Sequence, residues 1–241
     1  MSLLHRRKFL AAATTLPLFA LADIALPPRL KILVSGAHPG DPECGCAGTI
    51  ARYVALGHEV TQLYLNRGEG FCKSTNPDCA TVRTAEAQEV CQILHTRAVF
   101  TNQIDGQAVI DNSHYQSFAQ LLAAQNPDVI FTHWPIDNHR DHRALSQLVL
   151  DAWLASHKKA ALYYYEVADD TMMFSPSDFV DISAPEIESL RHAACFAHAS
   201  QQPEKWYPRQ VEITRFRGSQ SGHTQAEAFV RHWQSRPAPL P

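Results

Sequence analysis

The stretch Ile32-Leu33-Val34-Ser35-Gly36-Ala37-His38-Pro39-Gly40-Asp41-Pro42-Glu43-Cys44-Gly45-Cys46-Ala47-Gly48 constrains this chain more than any other. Its opening apolar run reads as a buried strand. The strand feeds a tight turn holding His38 and Asp41, and the turn opens into small residues that read as a helix start. An α/β sheet places its ligand site at the carboxyl end of a strand, and these two polar residues fall there.

The same strand–helix alternation continues along the chain. Strands are expected at 31–35, 59–65, 98–100, 128–132 and 162–167, with a further one at 179–182. Helices are expected at 45–56, 81–94, 113–125 and 141–157, and around 185–199 and 224–233. Such alternation predicts an α/β fold: a Rossmann-like three-layer sandwich whose mostly parallel sheet is flanked by helices. The first strand–helix loop lacks G-x-G-x-x-G, so a dinucleotide has no fingerprint to bind. Gly45 and Gly48 are better explained by close packing, and Gly57 by a helix stop.

A length of 241 residues suits one α/β domain with a large core. Hydrophobic content of 45% and charged content of 19% are those of a globular protein. A formal charge of −3, with no basic run outside the N-terminus, argues against a nucleic-acid partner. The N-terminus carries His5-Arg6-Arg7-Lys8-Phe9-Leu10, a twin-arginine pattern, then an apolar run at 11–21 and the small-x-small site Ala20-Leu21-Ala22. Residues 1–22 are therefore expected to be a twin-arginine export signal; the alternative is a lipophilic tail that stays attached. The run is shorter than the roughly 20 residues a membrane-spanning helix needs, so the mature chain is expected to have no integral span. It would work in the periplasm or beyond. Residues 23–235 are expected to form the single domain, and 236–241 a Pro-rich tail with no reason to order. Six cysteines fit an exported protein. Cys72 and Cys79 lie in a polar loop that a bridge would staple, whereas Cys44, Cys46, Cys91 and Cys195 fall in expected helices as core residues. The C-x-C pair Cys44/Cys46 sits on a helix that points its thiols apart.

Two segments hold the ligand types a catalytic zinc takes, three nitrogen or carboxylate donors with a position left open. One is His38-Pro39-Gly40-Asp41. The other, Pro135 to Leu145, contains Asp137, His139, Asp141 and His142. They follow the first and fourth expected strands, commonly neighbours in a doubly wound sheet, so both loops would meet in one crevice. The alternative reading makes His139 and His142 a polar helix face and His38 a turn residue.

Ala37-His38-Pro39-Gly40-Asp41-Pro42-Glu43 together with His139-Arg140-Asp141-His142 resembles the PIG-L/LmbE-like family of zinc-dependent N-deacetylases, which carries A-H-P-D-D-x-E and H-x-D-H. The resemblance extends to Leu65–Gly70, to Arg83-Thr84-Ala85-Glu86-Ala87, to Phe179–Ser183, to His198-Ala199-Ser200-Gln201 and to Glu227-Ala228-Phe229. It implies one zinc ion per chain, held by His38, Asp41 and His142. It implies that His139 stabilises the oxyanion or protonates the leaving amine, that Asp141 orients His139, and that Arg83 contacts a sugar. The implied substrate is a small molecule or glycan bearing an N-acetylated amino sugar, such as N-acetylglucosamine. Gly40 departs from the pattern, because the family has there an Asp that looks like the general base. Asp137, Glu43 or Glu69 takes over, or the zinc suffices unaided, or the protein has lost hydrolysis and only binds a glycan. Gly40→Asp is expected to preserve or raise activity. Specificity is expected from the loops 66–80, 102–112 and 200–222, with Trp134, Trp206 and Tyr207 as candidate sugar-stacking surfaces.

Overall fold

Strands β1 (Lys31–Gly36), β2 (Glu59–Tyr64), β3 (Arg97–Phe100), β4 (Val129–His133), β5 (Ala161–Tyr165), β6 (Asp178–Asp181) and β7 (Ala226–Arg231) form one sheet. Their order is β3-β2-β1-β4-β5-β7-β6. The computed structural model describes residues 28–101 and 103–241; the expected export signal at 1–22 lies outside them. β1 to β5 pair in parallel, and β7 runs antiparallel between β5 and β6. The helices are α1 (Asp41–Ala55), α2 (Cys79–Leu94), α3 (Asn112–Gln125), α4 (Arg140–Ala155), α5 (Pro185–Ala197) and α6 (Pro203–Ser221). Among the described residues, no helix is long and apolar enough to cross a membrane.

Period-two alternation along the central strands builds two cores, one on each face of the sheet. Ile32, Val34, Val129, Phe131, Tyr163 and Tyr165 face one layer, with Cys46 and Ile50 of α1 and Ile187 of α5. Leu33, Ile130, Leu162 and Tyr164 face the other, with Phe118 of α3 and Leu145, Leu148 and Trp153 of α4. The three-layer expectation holds. So does the close-packing reading of two glycines: a Cβ at Gly45 would lie 2.3 Å from the Tyr165 ring, and one at Gly48 would lie 2.5 Å from Ile182 Cγ2. Strand order reverses between β1 and β4, so the loops leaving these strands open onto one crevice.

Three expectations are corrected. Residues 224–233, expected as a helix, contain β7, whose sequence Ala-Glu-Ala-Phe-Val-Arg suits either period until the gap between β5 and β6 selects the strand. Residues 200–222, expected as a loop, contain α6. Its polar sequence shows no clean apolar stripe, yet it starts on Pro203 and stops at Gly222 in left-handed backbone. The tail 236–241 forms no helix or strand but is not loose. Tyr53 Oη donates to the Pro239 carbonyl at 3.1 Å, the Ala238 amide donates to Tyr163 Oη at 3.2 Å, and Ala238 and Leu240 pack on the core. Proline removes amide donors but leaves carbonyls to accept and rings to pack. Cys72 and Cys79 form a disulfide, and the other four cysteines are free and buried.

Candidate metal centre

β1 ends at Gly36, and the next four residues turn the chain into α1. The His38 amide donates to Asp41 Oδ2 at 2.8 Å, and the Asp41 amide donates to the His38 carbonyl at 3.2 Å. The turn requires φ +109° at Gly40, a backbone glycine adopts without a Cβ penalty. The Pro39 carbonyl is fastened twice, by Arg83 Nη2 at 2.7 Å and by Gln201 Nε2 at 2.8 Å. Glu43 accepts from the Gly40 amide at 3.0 Å and from Tyr64 Oη at 2.8 Å. Behind it, His198 Nε2 lies 3.2 Å from Glu43 Oε2, and Ser200 donates from its amide and hydroxyl to Glu86. The segments around 83–86 and 198–201 thus serve as the floor of the His38 turn.

Asp41 is the first residue of α1, where free helix N–H groups favour an anion. Its Oδ2 lies 3.2 Å from His38 Nδ1, 3.2 Å from His133 Nε2 and 3.3 Å from His142 Nε2. The expected trio His38, Asp41 and His142 is therefore gathered about one carboxylate oxygen. Burial opposes charge on each member, and their mutual attraction outweighs it. Burial alone would raise the Asp41 carboxyl, but His142 and His38 hold it well below the ordinary range. Burial would lower His142, yet Asp41 and Asp137 push it up to about 9. His38 is likewise raised well above its usual value, against burial, first by Asp41 and then by Asp105 and Asp141.

His133 was not anticipated. It is a single histidine at the last position of β4, outside any motif. Its Nε2 accepts from the Ala37 amide at 3.0 Å, stapling β4 to the end of β1, and its ring stacks on His142 at 3.9 Å. Burial, aided by the neighbouring His142 charge, pushes it down to about 4. Its Nε2 lone pair is committed to Ala37, so it supports the site rather than offering a free ligand.

His139 caps α4: its Nδ1 accepts from the Asp141 amide at 3.2 Å, which puts the proton of the neutral ring on Nε2. Burial first, then the charges on His38 and His142, lower its pKa. Its ring stands 4.5 Å from that of His38 and 4.7 Å from that of His142. The Asp141 carboxylate does not reach His139, contrary to expectation; only the Asp141 amide does. Its Oδ2 accepts from the Gly106 amide at 2.7 Å and from Asn66 Nδ2 at 3.2 Å, and lies 3.4 Å from His38 Nε2.

The three carboxylates expected to replace the family's Asp are engaged elsewhere. Glu43 is buried under the turn. Asp137 lies 3.1 Å from His142 Nδ1, at the far end of that ring from Asp41, and accepts from the His139 amide and Thr171 Oγ1. Glu69 accepts from the Asp105 amide at 3.1 Å. Arg83 is buried, and its guanidinium points at the carbonyls of Pro39, Gly68 and Phe71, so it holds the turn instead of reaching out to a sugar. Tyr207 packs against His192 and Phe196, Trp206 against the core, and Trp134 between Tyr164 and Phe174.

Two imidazoles and a carboxylate converge, and a further carboxylate stands behind each imidazole. This is the donor chemistry of a three-ligand zinc site with its outer carboxylates, and the residues fit such an ion. Three groups of mutually close donors occur among the described residues, His38/His139/His142, Asp41/His133/His142 and His38/Asp105/Asp141; each holds one or two members of the expected trio and none holds all three. None includes a cysteine, so the Cys44/Cys46 pair is no part of it.

A histidine–carboxylate cluster at the switch point of a Rossmann-like sheet defines an α/β protein with a candidate metal centre. The chain belongs to the PIG-L family, whose model, described as GlcNAc-PI de-N-acetylase, matches residues 33–153. It is 26% identical over 179 residues to the uncharacterized deacetylase YaiS of Escherichia coli (strain K12), covering 71% of this chain and 92% of that one. Among solved structures it resembles the conserved protein TT1542 from Thermus thermophilus, with 28% identity, TM-score 0.75, and coverage of 88% of this chain and 99% of that one. It also resembles N,N'-diacetylchitobiose deacetylase from Pyrococcus horikoshii, with 23% identity, TM-score 0.74, and coverage of 84% and 83%.

Proposed function

We propose that this protein is a zinc-dependent hydrolase that removes the acetyl group from an N-acetylated amino sugar or glycoconjugate. The reading is carried by the gathering of His38, Asp41 and His142 about one carboxylate oxygen where β1 and β4 end. These three residues would hold one zinc ion. When bound, such an ion polarises an amide carbonyl and acidifies water. His139, neutral with its proton on Nε2, donates to the acetamide oxygen as negative charge builds there, or passes that proton to the departing amine. An amide has a poor leaving group, so this acid is needed. The sugar substrate is supported by the family's description and by the diacetylchitobiose deacetylase that shares the fold.

Gly40 favours a second reading, a zinc-containing glycan-binding protein with weak or no hydrolysis. Loss of a general base costs roughly a hundred- to ten-thousandfold in rate, and Glu43, Asp137 and Glu69 are all committed. Acetate release from N-acetylglucosamine and N,N'-diacetylchitobiose, with zinc-loaded and chelator-treated protein, separates the two. Acetate released only with zinc is expected. Sugar binding without acetate favours the second reading, and neither binding nor acetate overturns both.

The twin-arginine pattern at His5–Leu10 supports export of the folded chain, and the Cys72–Cys79 disulfide supports an oxidising compartment such as the periplasm.

A further inference from the structure

We propose that Asp105, from the loop between β3 and α3, is a positioning residue of the metal centre. It holds the outer ring nitrogen of His38 so that the inner one faces Asp41 and the ion. The inference rests on the metal-centre part of the reading above and not on the identity of the substrate.

His38 has its two ring nitrogens in different surroundings. Nδ1 lies 3.2 Å from Asp41 Oδ2, on the side where His142 Nε2 also arrives. Nε2 lies 3.1 Å from Asp105 Oδ1. An imidazole that gives one nitrogen to a metal carries its proton on the other, and a carboxylate there fixes both tautomer and ring orientation. His142 already shows this arrangement, with Asp137 Oδ1 3.1 Å from its Nδ1. Asp105 gives His38 the matching support, so each ligating imidazole is backed by its own carboxylate.

Asp105 is also held firmly enough to orient something else. Its Oδ2 accepts from the Gly70 amide at 3.0 Å, and its own amide donates to Glu69 Oε2 at 3.1 Å. The next amide, Gly106, donates to Asp141 Oδ2 at 2.7 Å, and Arg140 Nη1 donates to the Gly106 carbonyl at 3.1 Å. The loop is thereby braced against the segment after β2 and against the start of α4. Asp141 is the weaker candidate for the same job. It lies farther from His38 Nε2, at 3.4 Å, and its Oδ2 already accepts two hydrogen bonds. No sequence motif marks Asp105, a lone carboxylate in a loop.

The test is zinc affinity, measured on the full chain by competition with a chromophoric chelator, with folding checked by circular dichroism. Asp105→Asn should still bind one zinc at saturation but about 10- to 100-fold more weakly, as outer carboxylates of metal sites typically require. Asp105→Ser is carried alongside as a smaller variant. Arg140→Ala, which loosens the same loop without touching His38, should stay within about threefold of wild type. Wild-type affinity in both Asp105 variants overturns the proposal. So does an equal loss in Arg140→Ala, or a larger loss in Asp141→Asn than in Asp105→Asn. A wild-type protein that binds no zinc overturns this proposal together with the metal-centre reading. A protein that binds zinc, loses affinity in Asp105→Asn and releases no acetate upholds Asp105 and sinks only the deacetylase reading.

Discussion

Gly40 decides more at this site than any charged residue. Its φ of +109° lies where L side chains are strained, and a Cβ there would come 3.0 Å from Gln201 Oε1 and 3.2 Å from Gln201 Nε2. That amide is not free to swing away, because Nε2 donates to the Pro39 carbonyl. The sequence alone suggests that Gly40→Asp preserves or raises activity; the turn argues the opposite. The substitution is expected to cost about 1–3 kcal/mol of stability, read as a lower urea midpoint, and to leave the acetate rate no higher. An unchanged midpoint with a faster rate would show that the turn relaxes around a new carboxylate. His38, Asp41 and His142 were legible because short, contiguous motifs carry them. His133 and Asp105 were not, since each is an isolated residue that matters only because the sheet brings its strand end or loop alongside His38 and His142.

At the level of elements, the parallel half of the fold and the edge strand β6 were legible and the antiparallel strand β7 between β5 and β6 was not. β1, β4 and β5 carry continuous apolar runs, as strands buried on both faces do, and β2 alternates with period two. β7 lies beyond them and carries a buried Glu227, which reads in the sequence as the polar side of a helix. That carboxylate instead accepts from the amides of Gly48 at 2.8 Å and Thr49 at 2.7 Å, tying β7 to α1. Arg191 of α5, fully buried, has its Nε 3.9 Å from Glu227 and its guanidinium over the Tyr207 ring. Burial raises the Glu227 carboxyl against the pull of Arg191, so this junction is costly to charge and costly to break. Glu227→Leu removes the acceptor of two amides and the counter-charge of a buried guanidinium. It should destabilise by roughly 3–5 kcal/mol in urea unfolding. A loss under about 1 kcal/mol, the range of exposed pairs, would mean that Arg191 is satisfied another way.

For the molecule as a whole, strand order matters most: with β1 beside β4, two loops more than ninety residues apart in sequence form one charged, buried cluster. Such a cluster makes stability depend on pH in opposite directions on either side of neutrality. His133 is lowered from 6.5 to about 4, so between those values the unfolded chain binds a proton that the folded one refuses. Its stabilising contribution is present above pH 6.5 and is lost as pH falls toward 4. Asp41, held below its ordinary value, extends that loss further into acid. His142 is raised from 6.5 to about 9, and there the folded chain keeps a proton the unfolded one releases. Its contribution is complete below pH 6.5 and is lost as pH rises to about 9, and His38 acts in the same sense. Metal-free protein should therefore be most stable near pH 6.5 and lose stability in both directions. Zinc competes with these protons for His38 and His142, so it should bind more tightly as pH rises and should release protons as it binds. At a free concentration 100 times its dissociation constant it adds about 2.7 kcal/mol, which would flatten the alkaline side of the curve while leaving the His133 side in place. Urea unfolding from pH 4 to 9, with and without zinc, measures this directly. An alkaline limb that zinc does not change would place the ion away from His142, and His142→Ala should then unfold with the same zinc dependence as wild type.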